Sequence, residues 1–302
     1  MRLILLVFLL CIAPPVSSLS SKPTTTNVVL SPSCIITNGL CQSYPVTLLD
    51  KLFSSVPKRE RAINNISIEF GHCDHDGQEN QEGLTLVVGR SASGKSTLLR
   101  ILAQWEEPTS GTLVINGQNC FSKDDDNPNR INIPKPIIID SKPDCYDSKS
   151  SVYQRLLETI PDTALVSDDN TRIRKDTIVV EFAQIMGFTT EQLHELCPSD
   201  LTPSQQYLFG LTQGCLQSSL ERMKIYGKHN DKQYLVPGPI LLLDELLDKE
   251  TSGVAQRVGM GLQNLTRHGG IVIAATHRPQ YLLDVAARVV TLSSGKILSV
   301  EH

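Results

Sequence analysis

The chain has no excess of basic residues, no paired cysteine motif and, beyond its first residues, no long apolar run. Its 28 Lys and Arg stand against 32 Asp and Glu over 302 residues, a net charge of −4. Nothing there supports a surface that tracks a nucleic-acid backbone, and no nucleic-acid partner is expected. The eight cysteines, at 11, 34, 41, 73, 120, 145, 197 and 215, include no Cys-x-x-Cys pair. A domain of this size buries an ample core without covalent staples, so free thiols are expected rather than a disulfide framework. After Ala13 no stretch has the length and apolarity of a membrane span. No internal repeat is evident.

What is present begins with Gly89-Arg90-Ser91-Ala92-Ser93-Gly94-Lys95-Ser96, followed by Thr97. The run follows a strand-like stretch, Leu84 to Val88, and leads into a helix-like one, Ser96 to Leu102. This pattern is a cradle for nucleotide phosphates. Glycines let successive backbone N–H groups turn toward one anion, Lys95 reaches the terminal phosphates, and Ser96 offers its hydroxyl to Mg²⁺. The positive end of the following helix adds to the attraction. The plain alternative is a Gly/Ser-rich turn with no ligand.

Two later apolar runs end in polar residues. Ile240-Leu241-Leu242-Leu243 closes on Asp244-Glu245, and Ile271-Val272-Ile273-Ala274-Ala275 closes on Thr276-His277. Continuous apolar runs of this length read as buried parallel strands, and open α/β sheets bind ligands at the carboxyl ends of such strands. Asp244 then arrives beside Ser96 to hold Mg²⁺, Glu245 is placed to polarise an attacking water, and His277 to sense a γ-phosphate. Taken singly, each has a structural reading as a strand end meeting solvent.

Gly89 to Leu102, together with Pro108-Thr109-Ser110-Gly111-Thr112-Leu113-Val114-Ile115-Asn116-Gly117, resembles the ABC-type ATPases. The resemblance covers roughly residue 60 to the C-terminus. It implies an α/β fold of the P-loop NTPase kind: a mixed, largely parallel sheet, a helical subdomain and a small antiparallel β element. It also implies ATP and Mg²⁺ as cofactors, hydrolysis to ADP and phosphate, and a homo- or heterodimer with another ABC-type domain, with separate membrane subunits where the chain serves a transporter. By the same resemblance Lys95, Glu245 and His277 carry catalysis, Gly89 to Thr97 bind the nucleotide, and Ser96 with Asp244 hold the metal. A soluble nucleotide sensor or assembly factor with slow or no turnover is the alternative.

The chain departs from that family in three places. The signature Leu-Ser-Gly-Gly-Gln is here Leu201-Thr202-Pro203-Ser204-Gln205, without either glycine, and reads locally as a capping box with proline at the first helical position. Asp140, after Ile137-Ile138-Ile139, stands where the family places a glutamine, while taken singly it reads as part of a surface loop. Asp248 follows Glu245 about three residues earlier than the family's D-loop aspartate. All three changes touch elements that couple one subunit to the other. For the adenine platform the candidates are Tyr44 and Phe53, with edge-strand packing as the alternative.

At the N-terminus Arg2 precedes the apolar Leu3 to Ala13 and then Pro14-Pro15-Val16-Ser17-Ser18, the pattern of a signal peptide. From Ser17 to Thr47 Ser and Thr abound, and no Asp or Glu occurs before Asp50, which resembles an organelle transit peptide. An ATP-dependent protein needs ATP, so the expected destination is an organelle reached through the secretory pathway, a plastid in particular. The alternative is a peripheral place on a membrane facing an ATP-containing compartment. Residues 1–47 are thus assigned to targeting and 48–302 to the ATP-binding domain, with a helical subdomain over about 140–236. His72, Cys73, His75 and neighbouring acids read as a hairpin loop, and Asp124 to Pro128 as a solvated turn.

Overall fold

The apolar runs become strands with both faces covered. A computed structural model describes residues 29–31, 33–44, 62–71, 83–121, 136–139, 149–160, 175–226 and 235–302. In chain order the elements are β1 (Val29–Ser31), β2 (Cys34–Gln42), β3 (Ile63–Gly71), β4 (Leu84–Val88), α1 (Lys95–Leu102), β5 (Ser110–Ile115), β6 (Gln118–Asn119) and β7 (Ile137–Ile139). There follow α2 (Val152–Glu158), α3 (Lys175–Ile185), α4 (Thr190–Glu195), α5 (Pro203–Tyr226), β8 (Leu235–Pro237), β9 (Ile240–Asp244), α6 (Ser252–Arg267), β10 (Ile271–Thr276), β11 (Ala286–Ser293) and β12 (Lys296–Glu301).

The main sheet runs β12-β11-β4-β10-β9-β7, parallel throughout except for β12. Side chains alternate across it. Leu84, Leu86, Leu241, Leu243, Val272 and Ala274 face a core with Ala255, Val258 and Leu262 of α6 and Phe182, Leu208 and Leu211 of the helical segment. Val87, Ile240, Leu242, Ile271, Ile273 and Ala275 face the other way, onto Leu98, Leu99, Ile101 and Leu102 of α1. The far side of α1 is covered by an antiparallel sheet, β3-β2-β5-β6, through Ile35, Leu40, Ile63, Ile66, Leu113 and Ile115. The fold is therefore the expected α/β arrangement with an antiparallel element and a helical segment. Among the described residues no helix is long and apolar enough to cross a membrane.

The boundary expected at residue 47 does not match this architecture. β2 lies inside the supposed targeting segment, yet it pairs with both β3 and β5 and occupies the interior of the antiparallel sheet. Ile35 and Leu40 are fully buried, the Thr37 hydroxyl donates to the Ile68 carbonyl at 3.0 Å, and the Gln42 side chain accepts from the Thr109 N–H at 3.0 Å. Burying Thr37 and Gln42 mutes the apolar alternation that would have marked a strand. Residues 1–28, with the apolar Leu3 to Ala13, lie outside the described residues, as do Phe53, Asp140, the His72–Gly77 segment and Asp124 to Pro128. One cysteine also departs from expectation: Cys34 is disulfide-bonded, whereas Cys41, Cys120, Cys197 and Cys215 are free thiols.

The helical segment is built from capped pieces. Ser151 and Thr189 each form a reciprocal capping box, with Gln154 and Gln192, at the starts of α2 and α4. The long α5 begins at Pro203, as its spacing predicts. The burial of β2 yields a direct expectation. Leu40→Ala removes a fully buried side chain and should lower unfolding free energy in urea by about 2–5 kcal/mol; a change near zero would mean that β2 is not part of the cooperative core.

Candidate functional site

The register of three parallel strands brings the candidate residues together. Ala275 lies opposite Asp244, and Thr276 opposite Val88, so β4, β9 and β10 end level. The loop from Gly89 to Gly94, the pair Asp244-Glu245 and His277 all leave the sheet at this edge.

The loop needs two glycines for separate reasons. A Cβ at Gly89 would stand 2.4 Å from the Leu292 carbonyl oxygen, so only a bare backbone passes there. Gly94 has φ +106° and lies under the Ala62 carbonyl, which a Cβ would meet at 2.6 Å. From Gly94 the chain enters α1 with no side-chain cap and no acidic residue in the first turn; the first helical bond is Leu98 N–H to Gly94 O. The N–H groups of the first turn are left to an external acceptor. Arg90, Ser91 and Ala92 are exposed at the mouth, while Ser93 is buried beneath it. Ser96 and Thr97 are half-buried in the first turn.

Lys95 is only 4% exposed and folds back along the loop, its Nζ donating to Gly89 O at 3.1 Å and Arg90 O at 3.5 Å. Burial pushes its pKa down, opposed by the charges of Glu245, Asp244 and Asp248. The Ser96 hydroxyl donates to Asp244 Oδ1 at 3.1 Å. Burial lifts the Asp244 carboxyl above the usual aspartate range; the Ser96 hydrogen bond opposes the rise and the neighbouring Glu245 charge adds to it. A half-buried carboxylate facing a hydroxyl at the foot of a free helix N-terminus is a donor set that fits Mg²⁺.

Glu245 adopts φ +57°. That left-handed conformation turns the chain sharply off β9, and the turn is held by Glu245 N–H to Ala275 O at 2.9 Å. The half-exposed carboxylate meets His277 Nε2 at 2.7 Å and lies 3.9 Å from Lys95 Nζ. Since a carboxylate can only accept, Nε2 carries the proton in this contact. Lys95 Nζ, 3.3 Å from the same nitrogen, is then a neighbour rather than a donor to it.

Tyr44 follows β2 directly, so the strand that escaped sequence reading is the one that places it. Its hydroxyl donates to Glu106 Oε2 at 2.6 Å and lies 3.5 Å from Thr97 Oγ1, while the residue remains 47% exposed. In the segment expected to act as the signature, Thr202 and Pro203 are exposed, while Leu201 and Ser204 are buried. The Thr202 N–H and hydroxyl both donate to Gln205 Oε1, at 3.0 and 2.8 Å, giving one half of the expected capping box. Asp248 sits beside His277 within its own chain, a placement that its spacing alone did not reveal.

Comparison with known proteins points to one family. Residues 76–201 match the sequence family described as ABC transporter. The methionine import ATP-binding protein MetN of Streptococcus agalactiae is 21% identical over 258 residues, covering 84% of this chain and 63% of that protein. The phosphonates import ATP-binding protein PhnC of Bdellovibrio bacteriovorus is 38% identical over 76 residues, covering 25% and 26%. Among solved structures, an ATP-binding cassette of an ABC transporter in its ADP conformation superposes with a TM-score of 0.58 at 14% identity, covering 90% of this chain and 92% of that one.

Over residues 76–201 in sequence, and in fold, the chain is similar to the ABC-type ATPases.

It spans less than two thirds of the length of these two sequence relatives. The relatives also overturn one expectation. These relatives are import ATP-binding proteins of bacteria, which have no plastids. Passage through the secretory pathway to an organelle is therefore not supported, and neither is the signal peptide it invoked. The sulfate/thiosulfate import ATP-binding protein CysA of Mesostigma viride, 24% identical over 240 residues, 78% of this chain and 60% of that protein, is likewise an import ATP-binding protein by name.

The burial of Asp244 gives a measurable consequence. Its raised pKa means that the native state holds this proton more tightly than the unfolded chain does. Ligand-free stability therefore falls as pH rises from the ordinary aspartate value through the raised one. Asp244→Asn should abolish that slope and melt above the parent at neutral pH in calorimetry. A lower melting temperature with the acid limb unchanged would show that the carboxylate is favourably solvated as it stands.

Proposed function

We propose that this chain binds ATP with Mg²⁺ and hydrolyses it to ADP and phosphate as the ATP-binding subunit of a transporter assembled from several chains. The convergence of Lys95, Ser96, Asp244, Glu245 and His277 at one sheet edge, with Glu245 and His277 in contact at 2.7 Å, carries this reading. Lys95 and the uncapped N–H groups of α1 bind the phosphate oxygens, Lys95 exchanging its loop carbonyls for them. Ser96 and Asp244 hold Mg²⁺, which when bound spreads the charge that develops on the phosphates. Glu245 accepts a hydrogen bond from the attacking water and orients it, while His277 Nε2 fixes the carboxylate. Tyr44 is the adenine platform, being exposed beside Thr97 on the turn after β2.

The family pairs two such domains, so a homo- or heterodimer is the working form. The dimeric bacterial ABC transporter cassette that shares this fold, with a TM-score of 0.52 at 17% identity, supports that arrangement, and the import proteins named above support separate membrane subunits. A second reading, a nucleotide-dependent sensor or assembly factor with slow turnover, draws support from the loss of both signature glycines at Thr202–Gln205.

The test is Mg²⁺-dependent phosphate release by the full chain, with nucleotide binding followed on the same samples. Glu245→Gln should lower turnover by about 10²–10⁴-fold while still binding ATP. Lys95→Ala should lose both, and chelation of Mg²⁺ should stop turnover in every sample. Binding without turnover in the parent would favour the sensor reading, and absence of binding by folded protein would overturn both.

A further inference from the structure

Asp248 is tied to the end of β10 through both of its carboxylate oxygens. Oδ1 accepts the Thr276 hydroxyl, and Oδ2 accepts the His277 backbone N–H at 2.8 Å. Its own N–H donates to the Glu245 carbonyl at 3.1 Å, closing the turn that begins at the left-handed Glu245. Thr276 is 5% exposed, and its hydroxyl oxygen accepts the Arg278 N–H at 2.9 Å, so the residues on both sides of His277 are fixed as well.

These contacts close a ring. The Glu245 backbone leads through a three-residue turn to Asp248, the Asp248 carboxylate grips the His277 backbone, and the His277 ring returns to the Glu245 carboxylate at 2.7 Å. A histidine just past a strand end has no ladder partner of its own to direct it. Here a charge-assisted bond sets its main chain, leaving only the two side-chain torsions to aim Nε2. Without that bond the half-exposed Glu245 side chain would lose the fixed partner closest to its carboxylate among the described residues, Lys95 standing further off at 3.9 Å.

We propose that Asp248 is a positioning residue for hydrolysis, holding His277 against Glu245 so that the Glu245 carboxylate keeps the direction needed to orient water. The proposal rests on the ATPase reading of this site. It assigns Asp248 a role within its own subunit.

The experiment is a double-mutant cycle in the full chain, reading kcat, KM for ATP and nucleotide binding. Asp248→Ala should lower kcat on the order of 10–100-fold through misplacement of the reacting groups. KM and nucleotide affinity should stay within about two-fold of the parent, the pattern of a lost transition-state interaction. Asp248→Asn, whose amide oxygen can still accept one of the two donors, should recover part of the loss. In a His277→Ala background, Asp248→Ala should change kcat by less than about two-fold, because the residue acts through His277.

Equal losses in both backgrounds would overturn the proposal. So would a rise in KM matched by a fall in melting temperature that Asp248→Asn does not correct. If the parent binds ATP but does not turn it over, the hydrolysis reading fails while Asp248 is still tested. The His277 imidazole nitrogens, assigned by His277→Gln in an NMR spectrum, should then shift on Asp248→Ala toward those of an exposed histidine. Unchanged resonances would remove the positioning role.

Discussion

The site depends on the backbone register that sets Ala275 opposite Asp244 and Thr276 opposite Val88, because this pairing alone makes β4, β9 and β10 end level. A slip of one residue on β10 would exchange its two faces. Val272 and Ala274 would move from the layer of α6 to that of α1, and Ile271, Ile273 and Ala275 would move the other way. With both faces packed, neither layer can absorb the change, so burial on two sides holds the register. The chemistry at the strand ends inherits its geometry from hydrophobic packing several residues away.

Against that rigid frame the site concentrates local electrostatic and conformational costs. Lys95 and Asp244 both carry charge that burial disfavours, the first turn of α1 has no cap, and Glu245 occupies a left-handed conformation without being glycine. Each of these is a local cost to the fold, and each would be relieved or used by a ligand bearing phosphate oxygens and a divalent cation. Such local conflicts are characteristic of functional sites and are tolerated because the surrounding packing over-determines the backbone.

The turn beyond Glu245 also connects to the helical segment. Tyr207, three residues past Ser204 on α5, is almost fully buried and donates its hydroxyl to Glu250 Oε1 at 2.7 Å. The stretch from Asp244 to Glu250 therefore touches the phosphate loop through Ser96 and Lys95, the end of β10 through Asp248, and the start of α5 through Glu250. The departures from the family pattern at Thr202–Gln205 and Asp248 fall at either end of this connection.

Local chemistry made part of this legible. Gly89, Gly94, Lys95 and Ser96 read as a phosphate loop because their spacing has a mechanism that works within one turn, and the runs ending at Asp244 and Thr276 read as buried strands because two-sided burial demands unbroken apolarity. Thr202-Pro203-Ser204-Gln205 marks the start of α5 through residues only three positions apart. β2 was hidden because its inward positions include Thr37 and Gln42, whose hydrogen bonds to Ile68 and Thr109 replace the apolar side chains that an alternating pattern would show. Tyr44 could not be preferred over Phe53 until β2 was in place. The grip of Asp248 on Thr276 and His277 joins residues nearly thirty positions apart across two strands. The sequence by itself determined which chemical groups and which strand and helix starts exist; only the tertiary structure decided which groups meet, because strand pairing and two-sided burial depend on distant segments that no local pattern encodes.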